Sequence, residues 1–424
     1  MKNTHDDVLL KIFFESNRWE NAIQKGVEKE IDNSLLRELS SPQRRIKLYH
    51  DIKNSTYVIS PPHEAKIPKD DGTFRTVYVN EGIDRVILAI INDMFFELCP
   101  ELIHPRCKSY QKGLGCGKTV QEVSRKITET KNPIIGKKID LSKYFDSVPI
   151  AYIDKVFDYI HSKFGESKLL DIVVKYYHTN TVIDIDKNII EKYSSLRQGC
   201  AIAAFLADAV LYDIDDSMSK YNVFYTRYSD DIIIIGDEWE QAYTSLQTKL
   251  AEKTLILNPK KVETLYKDRW FKFLGFNIKG DKISLSKSRV KTFQKEIEKR
   301  TLENKSNQEK TIVNAVNQYL YQGNGEYSWA TSVLPVINVE KDIQTLNSFV
   351  MDAIRAGITR KKKIGGLGSA MDRQDVSVIR GKGKNVTENR KKIPYLNHYS
   401  YTIMCMRNAM MTSRQAYDTL VNTM

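Results

Sequence analysis

Apolar side chains recur at helical spacing through the first sixty or so residues: Val8, Leu9, Ile12, Phe13 and Trp19, then Leu35, Leu36 and Leu39. Pro61-Pro62 breaks that pattern. From Lys66 to Val79 the spacing predicts a hairpin turning at Asp71-Gly72. A helix is expected from Asp84 to Leu98, a buried strand from Pro133 to Asp140 and a helix from Ala201 to Ile214. Phe224 to Gly236 reads as two strands around a polar turn, Leu257-Asn258-Pro259 as a turn, and Phe271 to Ile278 as a further strand. After Asp281 the period becomes helical. Val290, Phe293 and Ile297 form one stripe, and Ile312, Val316, Tyr319 and Leu320 a second that ends at Gly323. Ile343, Leu346, Val350 and Ile354 form a third that ends at Gly357. The Gly-rich stretch 364–384 predicts a loop. The pattern is an α+β region followed by a helical lobe.

Composition narrows the class. The chain has 424 residues, 41% hydrophobic and 28% charged, so most of it is expected to fold. Its net charge of +12 is uneven: Arg360 to Lys392 holds eleven Lys/Arg against three Asp/Glu, a net excess of eight. A basic stripe suits a polyanion, because neutralised phosphates release counterions, although a solvated tail has the same look. The five cysteines form no CxxC pair and no His/Cys cluster, which speaks against a zinc site or a disulfide framework and for a reducing compartment. Asp6 and Asp7 precede an apolar run broken by Lys11 and Glu15, unlike a signal peptide. No apolar stretch reaches the roughly twenty residues of a membrane span. A cytoplasmic protein with no membrane partner is expected, its oligomeric state open.

The sharpest chemistry lies in Phe224-Tyr-Thr-Arg-Tyr-Ser-Asp-Asp-Ile-Ile-Ile-Ile-Gly236, where two adjacent carboxylates sit between apolar runs. Neighbouring side chains on a strand point to opposite faces, so a tight turn is needed to aim both at one site. Unaccompanied, they would repel each other and be costly to desolvate; an ordinary solvated Asp-Asp turn is the plain alternative. A third carboxylate, Asp140, closes the expected strand Ile134-Ile-Gly-Lys-Lys-Ile-Asp140. Asp140, Asp230 and Asp231 together can hold two Mg²⁺ ions about 4 Å apart for in-line phosphoryl transfer. Asp146, six positions on, is expected at the surface. The near P-loop Lys112-Gly-Leu-Gly-Cys-Gly-Lys-Thr119 lacks its first glycine and a preceding strand, so an ATPase is not expected.

These blocks, in this order, resemble the palm of bacterial reverse transcriptases of the retron and group II intron types. Asp140 with Phe145-Asp146 resembles the first palm motif, Leu196-Arg-Gln-Gly-Cys200 with Leu206-Ala-Asp208 the Leu-Pro-Gln-Gly-Ser and Leu-Ala-Asn helix, and Tyr228-Ser-Asp-Asp231 the Tyr-x-Asp-Asp box. Leu257-Asn-Pro-Lys-Lys261 and Phe273-Leu-Gly-Phe276 are similar to the two motifs after it. Ile67-Pro-Lys69 through Arg75, Asp84-Arg85, and Ser109-Tyr110 with Lys112-Gly113 resemble the blocks upstream. The likeness covers roughly residues 61–280 and implies a right-hand polymerase: fingers, a palm with an antiparallel sheet, and a helical thumb. It implies a helical extension over 1–60, fingers and palm over 61–280, a thumb over 281–358 and a basic RNA-binding region over 359–424.

The same resemblance implies roles. Asp140, Asp230 and Asp231 would bind two Mg²⁺, and Lys261 would protonate the departing pyrophosphate or simply be an exposed turn lysine. Lys69 and Arg75 would meet the triphosphate of a deoxynucleotide, while Gln198 and Gly199 would track the templating pair and sugar. Phe145 would block a 2′-hydroxyl, which favours deoxynucleotides. Phe273, Leu274, Gly275 and Phe276 would grip the primer, or the rings would fill a strand core. Arg360, Lys361, Lys362, Lys363, Lys382, Lys384, Arg390, Lys391 and Lys392 would hold RNA, with Tyr395, Tyr399 and Tyr401 stacking on bases or packing in a last helix. Arg197, Cys200 and Asp208 depart from the usual Pro, Ser and Asn.

The segment after Ile358 is too short and too poor in carboxylates for a ribonuclease H domain, and it has no Cys/His pattern of a zinc endonuclease. The chain is thus most similar to single-chain antiphage defence reverse transcriptases, of class 2 type, which copy a dedicated structured noncoding RNA into cDNA. An RNA-dependent RNA polymerase and a non-catalytic RNA-binding palm module are the alternatives.

Overall fold

The run Ile232–Ile235 is apolar at every position because it lies in the interior of a sheet, shielded on both faces. In this computed structural model, residues 7–360 are described, except 29–30, 70–71, 112, 193–194 and 323–327. They fall in two units, one formed by residues up to Cys116 together with Ile134–Leu265, the other by Gly117–Pro133 together with the chain from Tyr266 onward.

In the first unit, β1 (His63–Pro68) and β2 (Phe74–Val79) form the expected antiparallel hairpin, begun a few residues earlier than the pattern predicts. Gly72 takes φ 81 at its turn, and its N–H reaches the Lys69 carbonyl at 3.1 Å. β3 (Ile134–Asp140) is followed by a small hairpin that the sequence pattern does not predict, β4 (Thr181–Ile183) and β5 (Ile189–Glu191). It extends the first sheet to the order β2-β1-β4-β5. The second sheet has the order β6-β7-β3-β8, with β6 at Val223–Tyr228, β7 at Asp231–Gly236 and β8 at Glu263–Tyr266. Ile139, Ile232 and Ile234 join one core with Leu246 and Leu250 of the helix Trp239–Glu252 and with Val86, Ile90 and Phe95 of the helix Gly82–Leu98. Leu9, Phe13 and Trp19 belong to the same core, so the N-terminal helices are packed into this unit.

The single helix expected from Ala201 to Ile214 is two helices, Ala203–Ala209 and Tyr212–Ser217. The break is caused from outside the helix. Tyr144 donates its hydroxyl to the Ala207 carbonyl at 2.6 Å, and Arg227 donates to the Asp208 carbonyl at 2.9 Å. Those carbonyls are engaged from the side, and the i→i−4 ladder stops there.

In the second unit, the single strand expected over Phe271–Ile278 is a hairpin of β9 (Phe271–Phe273) and β10 (Phe276–Lys279), continued by β11 (Lys282–Leu285). Leu274 and Gly275 both take positive φ, 48 and 80, the two-residue turn that suits a twisted hairpin. The three helical stripes are found in Lys287–Thr301, in Glu309–Asn317 continued by a π-helical turn at Gln318–Gln322 that carries Tyr319 and Leu320, and in Glu340–Thr359. Gly323 lies outside the described residues. Gly357 does not end its helix, which runs on to Thr359. A Cβ there would meet the Thr301 carbonyl oxygen at 2.8 Å, so glycine is needed for close backbone approach. Among the described residues, no strand leads directly into the helix Cys116–Glu129.

Gly→Ala inside a helix ordinarily stabilises by about 1 kcal/mol. Here Gly357→Ala is expected to destabilise by about 1–3 kcal/mol through overpacking against backbone, read by denaturant unfolding; a stabilised variant would refute the packing account.

Candidate active site

Tyr228 and Asp231 face each other at the end of the β6–β7 hairpin, which leaves Ser229-Asp230 as a two-residue turn. Ser229 takes φ 56, a left-handed conformation a non-glycine residue rarely adopts. On the other side of β7, Asp231 stands opposite Asp140 of β3, and Ile232 stands opposite Ile139. Cross-strand partners share a face. The register therefore sends both isoleucines into the core and both aspartates to the opposite face. Asp230 joins them from the turn, where its carbonyl accepts the Leu141 N–H at 3.1 Å. The turn at Leu257-Asn258-Pro259 is tied to the same place, since Asn258 N–H donates to the Asp140 carbonyl at 2.9 Å. It brings Lys261, whose Nζ lies 2.7 Å from Asp140 Oδ2.

The electrostatics show unmet demand for positive charge. Burial and the Asp140 charge raise the Asp230 carboxyl above its ordinary range, against the opposing pull of Lys261 and Arg75. Burial, reinforced by the Asp230 charge, pushes Asp231 up to about 6 despite Lys138 nearby. Burial alone would depress the Lys261 ammonium, but the Asp140 hydrogen bond and the charges of all three aspartates outweigh it and hold Lys261 above its ordinary value. A proton on Lys261 is thus bound tightly as a counter-ion to Asp140.

Three carboxylates are the hard oxygen donors that divalent cations take. The raised proton affinity of Asp230 and Asp231 is what burial and neighbouring like charge produce, a burden that a cation would relieve and that Lys261 relieves in part. Among the described residues no three His, Cys, Asp or Glu side chains form a ready-made metal cage. The donors fit a divalent ion in kind, and Asp140 is engaged by Lys261 here.

Arg75 stands exposed on β2, opposite Ile67, close enough for its charge to act on Asp230. Lys69 is exposed at the turn of the same hairpin, with its N–H on the Thr73 carbonyl at 2.8 Å. Gln198 and Gly199 lie against that hairpin too: Tyr78 N–H donates to the Gln198 carbonyl at 2.7 Å. Gly199 has φ 100, and a Cβ on it would come within 3.1 Å of the Tyr78 carbonyl. The close approach that Gly199 permits is to the chain's own β2. Arg197 has φ 59, which proline cannot adopt, and its guanidinium lies 4.3 Å from the Tyr176 ring. Phe145 is half-buried beside Tyr144, with ring centroids 5.6 Å apart. Asp146 is exposed as a residue, yet partial burial of its carboxyl raises it above its ordinary range against the pull of Lys192 and Lys143. Asp84 is buried and accepts from Tyr57 Oη at 2.6 Å and Ser60 N–H at 3.0 Å.

In the second unit Phe273 and Phe276 are fully buried, so the accessible part of that block is the Leu274-Gly275 turn. Arg289 braces it, donating to the Leu274 carbonyl at 3.4 Å and lying 4.4 Å from the Phe276 ring. Arg360 closes the helix Glu340–Thr359 and donates to the carbonyls of Leu302, Asn304 and Lys305. Lys361, Lys362, Lys363, Lys382, Lys384, Arg390, Lys391 and Lys392, with Tyr395, Tyr399 and Tyr401, lie outside the described residues.

The sequence matches the family model described as reverse transcriptase (RNA-dependent DNA polymerase) over residues 67–278, half of the chain. The chain belongs to the reverse transcriptase family. Reverse transcriptase domains use divalent metal ions, in keeping with the donor set above. Among solved structures, telomerase from Candida albicans in complex with a TWJ fragment of telomeric RNA is similar with TM-score 0.50 and 11% identity, over 88% of this chain and 65% of that chain. Apo telomerase from Candida tropicalis is similar with TM-score 0.47 and 10% identity, over 90% of this chain and 73% of that one. The first likeness shows the α+β reverse transcriptase fold with antiparallel sheets, and the chain spans 65% of that telomerase's length. No curated protein sequence matches.

Within the reverse transcriptase domain, Arg227 and Asp215 are not among the residues that the sequence motifs single out. The signal is present all the same: an arginine midway along an apolar strand must find a buried partner. Arg227 is fully buried, and its Nη2 lies 2.6 Å from Asp215 Oδ2.

Because the folded state raises the Asp231 carboxyl, the folded metal-free protein holds a proton that the unfolded chain releases. Its contribution to stability is complete below the ordinary carboxylate range and is lost as pH rises through about 6. A bound divalent cation should cancel that loss. The melting temperature is expected to rise on adding the cation at pH about 7.5 and hardly at pH about 5. Burial also pushes Asp208 up to about 6, but it titrates with or without the cation, so the difference isolates the cluster. An equal gain at both pH values would contradict the account.

Proposed function

We propose that the chain is an RNA-directed DNA polymerase that uses two Mg²⁺ ions on Asp140, Asp230 and Asp231 to make cDNA from deoxynucleoside triphosphates. The observation that carries this is the register of Asp140 opposite Asp231 beside a turn bearing Asp230, inside a family that copies RNA into DNA. Bound there, the two ions would activate a primer 3′-hydroxyl and neutralise the leaving pyrophosphate. The chain's own residues do the remaining work. The three aspartates supply the negative field, Lys261 hydrogen-bonds Asp140 until the site is loaded, and Arg75, whose charge reaches Asp230, is proposed as a contact for phosphate. Lys69, on the same hairpin, is proposed as a second triphosphate contact. Phe145 brings an aromatic edge without a polar handle to the step after Asp140 and thereby selects deoxynucleotides.

The template is proposed to be a dedicated structured noncoding RNA, held in part by the basic tract 360–392, in a cytoplasmic antiphage defence role. What supports this is the charge of that tract and the likeness to single-chain defence reverse transcriptases. The four described cysteines are free, which suits a reducing compartment. Among the described residues no helix is long and apolar enough to cross a membrane. Residues 61–280 are assigned to fingers and palm and 281–358 to the thumb.

Primer extension on an RNA template tests the reading. Wild type should incorporate deoxynucleotides with Mg²⁺, and folded Asp230→Ala/Asp231→Ala should lose at least about a thousandfold. Phe145→Ala should raise ribonucleotide use relative to deoxynucleotide. Extension by the double variant, or a wild-type preference for ribonucleotides, would overturn the assignment.

A further inference from the structure

Ser229 separates Tyr228 from the two turn aspartates, and it carries the left-handed backbone that lets the turn close. All of its polar groups are held by side chains from outside the hairpin or from deep within it. Its N–H donates to Ser109 Oγ at 2.9 Å. Its carbonyl accepts from Arg227 Nη1 at 3.2 Å. Its hydroxyl accepts from Tyr110 Oη at 3.4 Å. Ser109 itself is fully buried and donates its hydroxyl to Asp208 Oδ1 at 2.5 Å. That bond leaves the Ser109 oxygen lone pairs facing the Ser229 amide.

Arg227 is fixed in turn. Its guanidinium forks onto Asp215 through Nε at 2.8 Å and Nη2 at 2.6 Å. Tyr225 Oη donates to the same carboxylate at 2.7 Å. Nη2 also reaches the Asp208 carbonyl at 2.9 Å. The segment that carries Ser109 is pinned beside β6: Arg227 N–H donates to the Arg106 carbonyl at 3.0 Å, and Lys108 N–H to the Arg227 carbonyl at 2.8 Å. Two chains of bonds, Asp208–Ser109 and Asp215–Arg227, thus end on the two peptide planes flanking Ser229.

We infer that Ser109, Asp208 and Arg227 are positioning residues that lock the Ser229 peptide planes and so aim Asp230 and Asp231. The inference rests on the polymerase reading above. Removing the Ser109 hydroxyl should leave a folded protein whose aspartates are slightly misdirected. Reaction geometry is sensitive to such shifts, with about 1 Å worth on the order of a hundredfold. Asp208 stands where the family usually has Asn. Its Oδ1 accepts from Ser109 and lies 3.7 Å from Arg227 Nη1, and an Asn amide oxygen can take both places. Asp208→Asn should therefore be tolerated, whereas Asp208→Leu should not.

The test uses the full chain with a pre-annealed primer on an RNA template. Ser109→Ala and Asp208→Leu should lower kcat by roughly tenfold or more, with the deoxynucleotide KM changed less than about twofold. Asp208→Asn should keep at least about half of wild-type kcat. Arg227→Lys is the harsher variant, so Ser109→Ala carries the decision. An activity-independent arm measures amide exchange at Ser229 and Asp230, where Ser109→Ala should cost protection while the core strand β7 keeps its own. Unchanged kcat in folded Ser109→Ala, with wild type active, overturns the inference and leaves the polymerase reading intact. Equal loss in Asp208→Asn and Asp208→Leu overturns it as well, because charge rather than the bond would then matter. A wild type that incorporates no nucleotide sinks the polymerase reading, and unchanged Ser229 exchange in Ser109→Ala sinks the lock whatever the activity.

Discussion

The register of β3 against β7 is the constraint on which the rest depends. With Asp140 opposite Asp231, one sliding step would put an isoleucine on the charged face and an aspartate in the core. Gly136 helps to fix that register, because a Cβ there would come within 1.8 Å of the Ile234 carbonyl oxygen and no other residue of β3 can take its place. The cost appears at the end of the strands, where the protein gathers negative charge that burial and mutual repulsion make it reluctant to carry. Lys261 relieves this in part, and a divalent cation would relieve the rest.

Much of this site was legible in the sequence. The two aspartates between apolar runs required a tight turn, and the turn is there, two residues long. Asp140 at the end of a predicted strand required a neighbouring strand, and β7 is that neighbour. What stayed hidden depended on partners distant in the chain. The bend between Ala209 and Tyr212 arises from Tyr144 and Arg227 reaching across to two helix carbonyls, which no local propensity records. Leu274 at φ 48 is an unlikely turn residue by itself, so the hairpin of β9 and β10 reads as one strand. Gly357 reads as a helix stop because glycine so often is one, whereas here it admits the Thr301 backbone.

The departures from the family pattern divide in the same way. Arg197 takes the place of a usual proline at a left-handed position and stacks on Tyr176, so it belongs to the local support of the Gln198-Gly199 turn. Asp208 reaches further, through Ser109 to the turn that carries Asp230. Cys200 is buried beside the Tyr176 hydroxyl, 3.8 Å away, as a small core residue.

Counting bound Mn²⁺ by electron paramagnetic resonance tests most directly whether Asp140, Asp230 and Asp231 together receive a divalent cation. Wild type should bind Mn²⁺ at a site that Mg²⁺ displaces, and folded Asp231→Asn should lose it. Equal Mn²⁺ binding by the two proteins would contradict the account.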